Sequence, residues 1–315
     1  IRMDGENALR ENALKALENV TFVPAQARNR LTSMVRTRPD WCISRQRAWG
    51  VPIAVFVEKH TGEVLRDAQV MQRVVDAFRT EGADAWYNSP PERFLGPDRD
   101  ADAYEQVFDI VDVWFESGST HAFVLGRPGL TFPADLYLEG SDQHRGWFQS
   151  SLLESVGTRG IAPFRALVTN GFVLDEHGRK MSKSLGNVIA PQDVNDTMGA
   201  DVLRLWVMNS DTNDDLRIGK EILKQQGELY RRLRNTLRWL LGGLDGFTQA
   251  EAVPYAELPE LERWVLHRLT ELGGLVARAV ETHEWVGVYP ALHGFCTTDL
   301  SAFSFEIGRA SCGER

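Results

Sequence analysis

Lys180, Ser182, Lys183 and Ser184 stand close together on a short stretch bounded by Gly178 and Gly186. That grouping suits polyphosphate. Flanking glycines let the backbone approach a ligand, and two ammonium groups three residues apart can both reach the oxygens of one triphosphate. Such a loop fits a reaction in which pyrophosphate leaves. Charge develops on the leaving group, and each preorganised donor or cation aimed at it is worth roughly 3 kcal/mol. A basic run of this length is as often a solvated surface, so its surroundings decide the reading.

Upstream of the loop lie an apolar run, Ala166 to Leu174, and a turn, Asp175-Glu176-His177-Gly178, which predict strand, turn and loop. Before it, Leu136-Tyr137-Leu138 passes into Glu139-Gly140-Ser141-Asp142-Gln143-His144-Arg145-Gly146-Trp147-Phe148. Two further segments are Arg38-Pro39-Asp40-Trp41-Cys42-Ile43-Ser44-Arg45-Gln46-Arg47-Ala48-Trp49-Gly50-Val51-Pro52 and Asp112-Val113-Trp114-Phe115-Glu116-Ser117-Gly118-Ser119-Thr120-His121. In this order and spacing the four segments resemble the class I aminoacyl-tRNA synthetases, from about residue 15 to about residue 303. The lysine loop and much of the Trp41 segment are shared with valyl and leucyl members, whereas the segments around Trp114 and Glu139 resemble the isoleucyl branch.

The resemblance implies a two-step ligation. Isoleucine's carboxylate attacks the α-phosphate of ATP, pyrophosphate leaves, and the isoleucyl group passes from the adenylate to tRNA(Ile). ATP and Mg2+ are the implied cofactors, and zinc is expected only in a C-terminal part outside this chain. Positioning and charge neutralisation do most of the work in such a step. By resemblance Lys180 and Lys183 bind the triphosphate, with Lys183 acting on the transition state; Met181, Ser182 and Ser184 complete the loop, the two hydroxyls either donating to phosphate or fixing the loop itself. Glu139, Gly140, Asp142 and Gln143 match residues that hold the adenylate. Their types fit that role, since Asp142 suits a ribose hydroxyl pair, Gly140 close backbone approach, Glu139 an ammonium, and the Gln143 amide both donation and acceptance. The alternative for Glu139 and Asp142 is turn and helix-capping duty. His144 is a candidate nucleotide neighbour; no general base is needed on an already ionised carboxylate. Trp114 and Trp147 match the amino-acid pocket, where two rigid aromatic walls can surround a branched aliphatic side chain. One methylene is worth only about 1–3 kcal/mol in such a pocket, a limit for which this family is itself the standard example, and which explains why its members carry editing domains.

A chain of 315 residues, 43% hydrophobic and 25% charged, can bury a substantial core in two or three structural units. No apolar run approaches the ~20 residues of a membrane span, so a cytoplasmic monomer with no membrane partner is expected. Cys42, Cys296 and Cys312 are far apart, which argues against a disulfide framework or a zinc site; metal ligands are expected to be absent. The net charge of −9 argues against a generic nucleic-acid binder. Yet from Arg217 to Arg238 seven Lys or Arg residues stand against two Glu, and Arg231, Arg232, Arg234 and Arg238 are candidate contacts to tRNA phosphates or a solvated helix face.

The expected fold is α/β: the second half of a doubly wound, Rossmann-like nucleotide-binding catalytic domain followed by an α-helical domain. Residues 1–37 read as the end of an editing domain with its return linker and 38–54 as a catalytic segment. Next come a small hairpin and helix insertion over 55–107, with its hairpin at Val51 to Leu65 turning on Thr61-Gly62, and the catalytic half with the lysine loop over 108–190. Residues 191–218 read as a connecting helical region, 219–305 as the start of a helical anticodon-binding domain and 306–315 as a non-native tail. Strands are expected to cease at Pro191, with Leu223, Tyr230, Leu233, Leu237 and Leu241 as the apolar stripe of the basic helix. The family's His-x-Gly-His element does not occur in these 315 residues, so the chain is expected to hold half an active site and, alone, to be inactive. Two other readings compete: a non-catalytic RNA-binding or partner module, and a different nucleotidyltransferase.

Overall fold

The computed structural model describes residues 1–307; Cys312 and residues 308–315 of the expected tail lie outside the described residues. The chain divides into two compact units. The first comprises Ile1–Thr21, Arg28–Tyr137 and Asp142–Leu167; the second comprises Phe22–Ala27, Leu138–Ser141 and the chain from Val168 onward.

The chain begins with α1 (Leu9–Ala16), β1 (Thr21–Val23) and α2 (Ala27–Thr37). There follow β2 (Ser44–Arg45), β3 (Phe56–Glu58), α3 (Ala68–Glu81), α4 (Ala85–Asn88), α5 (Pro91–Leu95), β4 (Tyr104–Gln106) and β5 (Ile110–Val111). β2 and β5 pair antiparallel, Ser44 opposite Val111. The expected hairpin turning on Thr61-Gly62 forms between Phe56 and Leu65, where Glu58 N–H donates to Glu63 O at 2.9 Å, Leu65 N–H donates to Phe56 O at 2.8 Å and Val57 bridges Val64. The partner that was not expected is β4, which pairs with β3 with Phe56 opposite Gln106, and burial is the cause. Phe56 belongs to a core with Val70, Val74, Trp86, Phe94 and Leu95, and Gln106 on β4 donates to the Trp86 carbonyl at 2.6 Å while the Trp86 indole donates to Val107 O at 2.7 Å. Asp67 starts α3 by accepting from the N–H groups of Gln69 and Val70.

The next elements are α6 (Val113–Gly118), α7 (Thr120–Phe123), β6 (Ala134–Gly140), α8 (Trp147–Arg159), β7 (Phe164–Asn170) and β8 (Val173–Leu174). A three-stranded sheet has the order β1–β7–β6, and β6, α8 and β7 follow as strand, helix, strand, the order that joins parallel neighbours. The helix begins at Trp147, after Ser141–His144 has closed into a 3-10 turn. α8 is buried on nearly every side, polar Gln149, Ser151, Glu154 and Ser155 included, beside Phe148, Leu152, Leu153 and Val156.

Beyond these the chain is helical: α9 (Pro191–Met198), α10 (Ala200–Met208), then after β9 (Leu216–Arg217), α11 (Lys220–Gly243), α12 (Glu260–Thr282), α13 (Val288–Gly294) and a π-helical stretch, Phe295–Ser304. β9 corrects the expectation that strands end at Pro191. It pairs parallel with β8, Val173 opposite Leu216, because Leu216 and Ile218 are needed in a core with Val194, Trp206 and Leu223. The apolar stripe of α11 also differs: Leu223 and Leu233 are buried, but Leu237 and Leu241 are 57% and 69% exposed, and Thr236 takes the inward position. From Leu233 the inward face steps by three residues rather than four, which turns Leu237 to solvent.

Candidate active site

In the second unit the lysine loop grows out of β8 through Asp175, whose buried carboxylate organises the turn. It accepts from the backbone N–H groups of His177 (3.0 Å) and Arg179 (2.8 Å), from the Arg179 guanidinium (2.9 Å) and from the Asn187 amide (2.9 Å). The Asn187 hydrogen bond, with the Arg179 backbone, side-chain and charge contributions, holds the Asp175 carboxyl far below the usual carboxylate range. Asn187 reaches back over the loop: its Oδ1 accepts from Ser182 N–H at 2.9 Å, and its Nδ2 also donates to Lys180 O at 3.3 Å. Lys183–Leu185 forms a 3-10 turn capped by the Ser182 hydroxyl, which accepts from Leu185 N–H at 3.3 Å and meets the Ser184 hydroxyl at 3.1 Å. Gly186 ends that turn at φ 64, in the left-handed region. Met181 points the other way, against the core of Val194, Trp206, Leu216, Ile218 and Leu223.

The result is a loop fixed from below with both lysines outward. Lys180 and Lys183 are exposed, and neither ammonium belongs to an ion pair among the described residues; the Lys180 ammonium lies 5.7 Å from the centre of the Phe172 ring. Two cations without an acidic partner among the described residues, on a braced backbone, have the chemistry to receive an anion.

In the first unit a helical corner holds both candidate tryptophans. Asp112 caps α6 by accepting from Trp114 N–H at 3.1 Å, and the same carboxylate accepts from the Trp41 indole at 3.0 Å and from Arg45 at 2.6 Å. The Trp147 indole donates to Ser117 O at 2.9 Å and meets Thr120 Oγ1 at 3.0 Å, while its face stacks on Tyr137 with centroids 4.2 Å apart and planes 3° apart. A Cβ at Gly146 would lie 2.8 Å from the rim of Trp114 and 2.7 Å from Gln143 Oε1, so a larger residue there would have to displace one of those side chains. Trp114 is 41% exposed. α6 crosses α8 at Gly118, where a Cβ would lie 2.2 Å from Glu154 Oε1. That buried oxygen has no hydrogen-bond partner, and burial pushes the Glu154 carboxyl up to about 8, so it is neutral at neutral pH.

The strand-end residues are largely engaged with their neighbours. Glu139 is exposed and accepts weakly from Gly140 N–H at 3.3 Å. Gln143 donates to Asp142 at 3.2 Å and accepts from Trp147 N–H at 3.0 Å, which gives the first N–H of α8 a partner, the N-cap itself being Gly146. His144 is buried with its ring edge-on to Phe148.

The family model for class I tRNA synthetases (I, L, M and V) matches residues 1–219, well over half of the chain. The chain belongs to that family. This synthetase chain is 78% identical over 307 residues to the isoleucine–tRNA ligase of Gluconobacter oxydans (strain 621H), a match covering 98% of the chain and 32% of that relative. It is 57% identical over 301 residues to the isoleucine–tRNA ligase of Brucella abortus biovar 1 (strain 9-941), covering 95% of the chain and 31% of the relative. The chain thus spans about a third of the length of these curated relatives. Among solved structures it is similar in fold to methionyl-tRNA synthetase of Mycobacterium tuberculosis bound by methionyl-adenylate, with TM-score 0.63 and 19% identity over 94% of this chain and 51% of that one. It is also similar to LeuRS of Agrobacterium radiobacter K84 in a ternary complex with tRNA and LeuAMS, with TM-score 0.61 and 21% identity over 83% and 36% of the two chains.

In this class I synthetase chain the four candidate tRNA-binding arginines, Arg231, Arg232, Arg234 and Arg238, lie exposed on α11, and Arg231 pairs with Glu228 at 2.9 Å. No group of three or more His, Cys, Asp or Glu residues capable of holding a metal ion occurs among the described residues. Cys42 is exposed and Cys296 buried, both as free thiols. No helix of the described residues is long and apolar enough to cross a membrane. Sequence reasoning missed Asp112, Ser117, Thr120, Gly146, Asp175 and Asn187 as site-building residues. Asp112, Ser117, Thr120 and Gly146 stand inside the motif segments, Asp175 opens the turn before the lysine loop and Asn187 follows Gly186 directly, and those positions were the available signal.

Proposed function

We propose that this chain supplies the adenylate-handling part of an isoleucine–tRNA ligase, working in the cytoplasm as a monomer with ATP, Mg2+, isoleucine and tRNA(Ile). The observation that carries the reading is a braced loop whose two ammonium groups have no acidic partner among the described residues, in a chain 78% identical to an isoleucine–tRNA ligase. Lys180 and Lys183 receive the triphosphate, and Lys183 neutralises charge as the isoleucine carboxylate attacks the α-phosphate and pyrophosphate leaves. That step asks for position and electrostatics rather than proton transfer, and fixed cations cost no reorganisation at the moment of reaction. Ser182 and Ser184 shape the loop, and Met181 roots it in its core.

Trp114 and Trp147 wall the isoleucine side chain, with Tyr137 and Thr120 fixing the plane of Trp147. Glu139 and the Gly140 backbone take the ammonium and nearby polar groups of the adenylate, and Asp142 takes the ribose hydroxyls. Gln143 and the buried His144 shape the turn that presents them. The α11 arginines meet phosphates of the tRNA. The test is calorimetric binding of non-hydrolysable adenylate analogues to the purified chain. An isoleucyl analogue should bind more tightly than a glutamyl or cytidylyl one; equal binding, or tRNA binding without analogue binding, would overturn the reading in favour of another nucleotidyltransferase or an RNA-binding module.

A further inference from the structure

We propose that Asp175 and Asn187 are positioning residues that act through the lysine loop, a role that rests on the polyphosphate reading of Lys180 and Lys183. An ionised carboxylate can only accept hydrogen bonds. Asn187 must therefore turn its NH2 towards Asp175 Oδ2, at 2.9 Å, and this dictates that its carbonyl oxygen faces Ser182 N–H, at 2.9 Å. The same NH2 reaches Lys180 O at 3.3 Å. One amide thus ties the backbone on either side of Met181 to a carboxylate that also gathers the N–H groups of His177 and Arg179.

Neither residue faces the ligand side with its own charge. Asp175 has a side chain only 8% exposed and is ion-paired with Arg179 at 2.9 Å. Their joint effect is to hold the spacing between two lysines that have no salt-bridge partner among the described residues. Ordering a polar loop otherwise falls on the binding step, where fixing each residue's backbone costs affinity.

The clamp and simple electrostatics predict opposite signs for one substitution. Asp175→Asn removes a negative charge near the anion receptor, so electrostatics alone would tighten anion binding. The clamp predicts weaker binding, because two NH2 groups then face each other across the turn.

The experiment measures inorganic tripolyphosphate binding to the 315-residue chain by calorimetry at low salt, with circular dichroism reporting the fold. Asp175→Asn and Asn187→Ala should each weaken binding about tenfold, equivalent to about 1.4 kcal/mol. Asp175→Asn combined with Asn187→Asp restores one acceptor and one donor across the pair at unchanged net charge, and should recover binding to within about threefold of the wild type. A substitution that merely loosened the turn would not be rescued by that exchange. Should Asp175→Asn bind as well as or better than wild type, or Asn187→Ala leave binding unchanged in a folded protein, the clamp is refuted while the polyphosphate site stands. Should Lys180→Ala and Lys183→Ala leave tripolyphosphate binding unchanged, the polyphosphate reading fails and the clamp fails with it.

Discussion

The neutral carboxyl at the α6–α8 crossing makes the tryptophan corner pH-sensitive. Glu154 is 9% exposed, its Oε1 has no partner, and its carboxyl is raised from 4.5 to about 8 by burial. Below pH 4.5 both folded and unfolded chains hold the proton, and stability is unaffected. As pH rises through the window from 4.5 to about 8 the unfolded chain ionises first while the folded one keeps its proton, so stability falls across that window and levels off above it. The span is roughly 3.5 pH units, and at 1.36 kcal/mol per unit the ceiling is about 5 kcal/mol. Rotation of the side chain towards water and relaxation of α6 away from a carboxylate reduce this, and about 2 kcal/mol is expected. Glu154→Gln keeps the shape and removes the titration. Urea unfolding followed by tryptophan fluorescence at pH 5.5 and pH 8 should show the variant gaining about 2 kcal/mol on the wild type between the two. Wild-type and variant profiles that run parallel over that range would refute the burial argument.

Two further outcomes follow from the geometry. Gly146→Ala puts a methyl 2.8 Å from Trp114 and 2.7 Å from Gln143 Oε1, which should destabilise the first unit by about 1–3 kcal/mol, shift tryptophan emission and weaken isoleucyl-analogue binding; a variant as stable as wild type would refute the close approach. Replacing Arg231, Arg232, Arg234 and Arg238 together by Gln should lower the slope of log affinity for tRNA against log salt by about 3, and an unchanged slope would make them a solvated face.

The architecture was legible where periodicity and punctuation agree. Pro191 at the start of α9, Gly199 between α9 and α10, and the apolar run from Ala166 to Leu174 all announce themselves locally, and the structure has elements there. The errors arose where a distant partner decides. Phe56 pairs with β4 as well as across the Thr61-Gly62 turn, and its burial beside Trp86 favours that second partner. β9 exists because β8 offers a parallel edge, which no run of two residues can signal.

The chemistry-bearing residues were legible by type: lysines, tryptophans and acids at motif positions. Their supports were not. Asp112 joins Trp41, 71 residues away in sequence, to the cap of Trp114. Asn187 acts on Asp175 only once a loop closes over 12 residues. Neither link has a local sequence pattern. Ser182 and Ser184 were open between phosphate contact and loop fixing, and in this structure they bond to the loop and to each other.

The most direct test of the proposed function replaces the matching segment of the Gluconobacter oxydans relative with this chain, to which it is 78% identical, and measures amino-acid-dependent ATP–pyrophosphate exchange. The prediction is isoleucine-dependent exchange that falls at least about a hundredfold with Lys183→Ala. Exchange that survives Lys183→Ala, or that responds to leucine or methionine in preference to isoleucine, would contradict it.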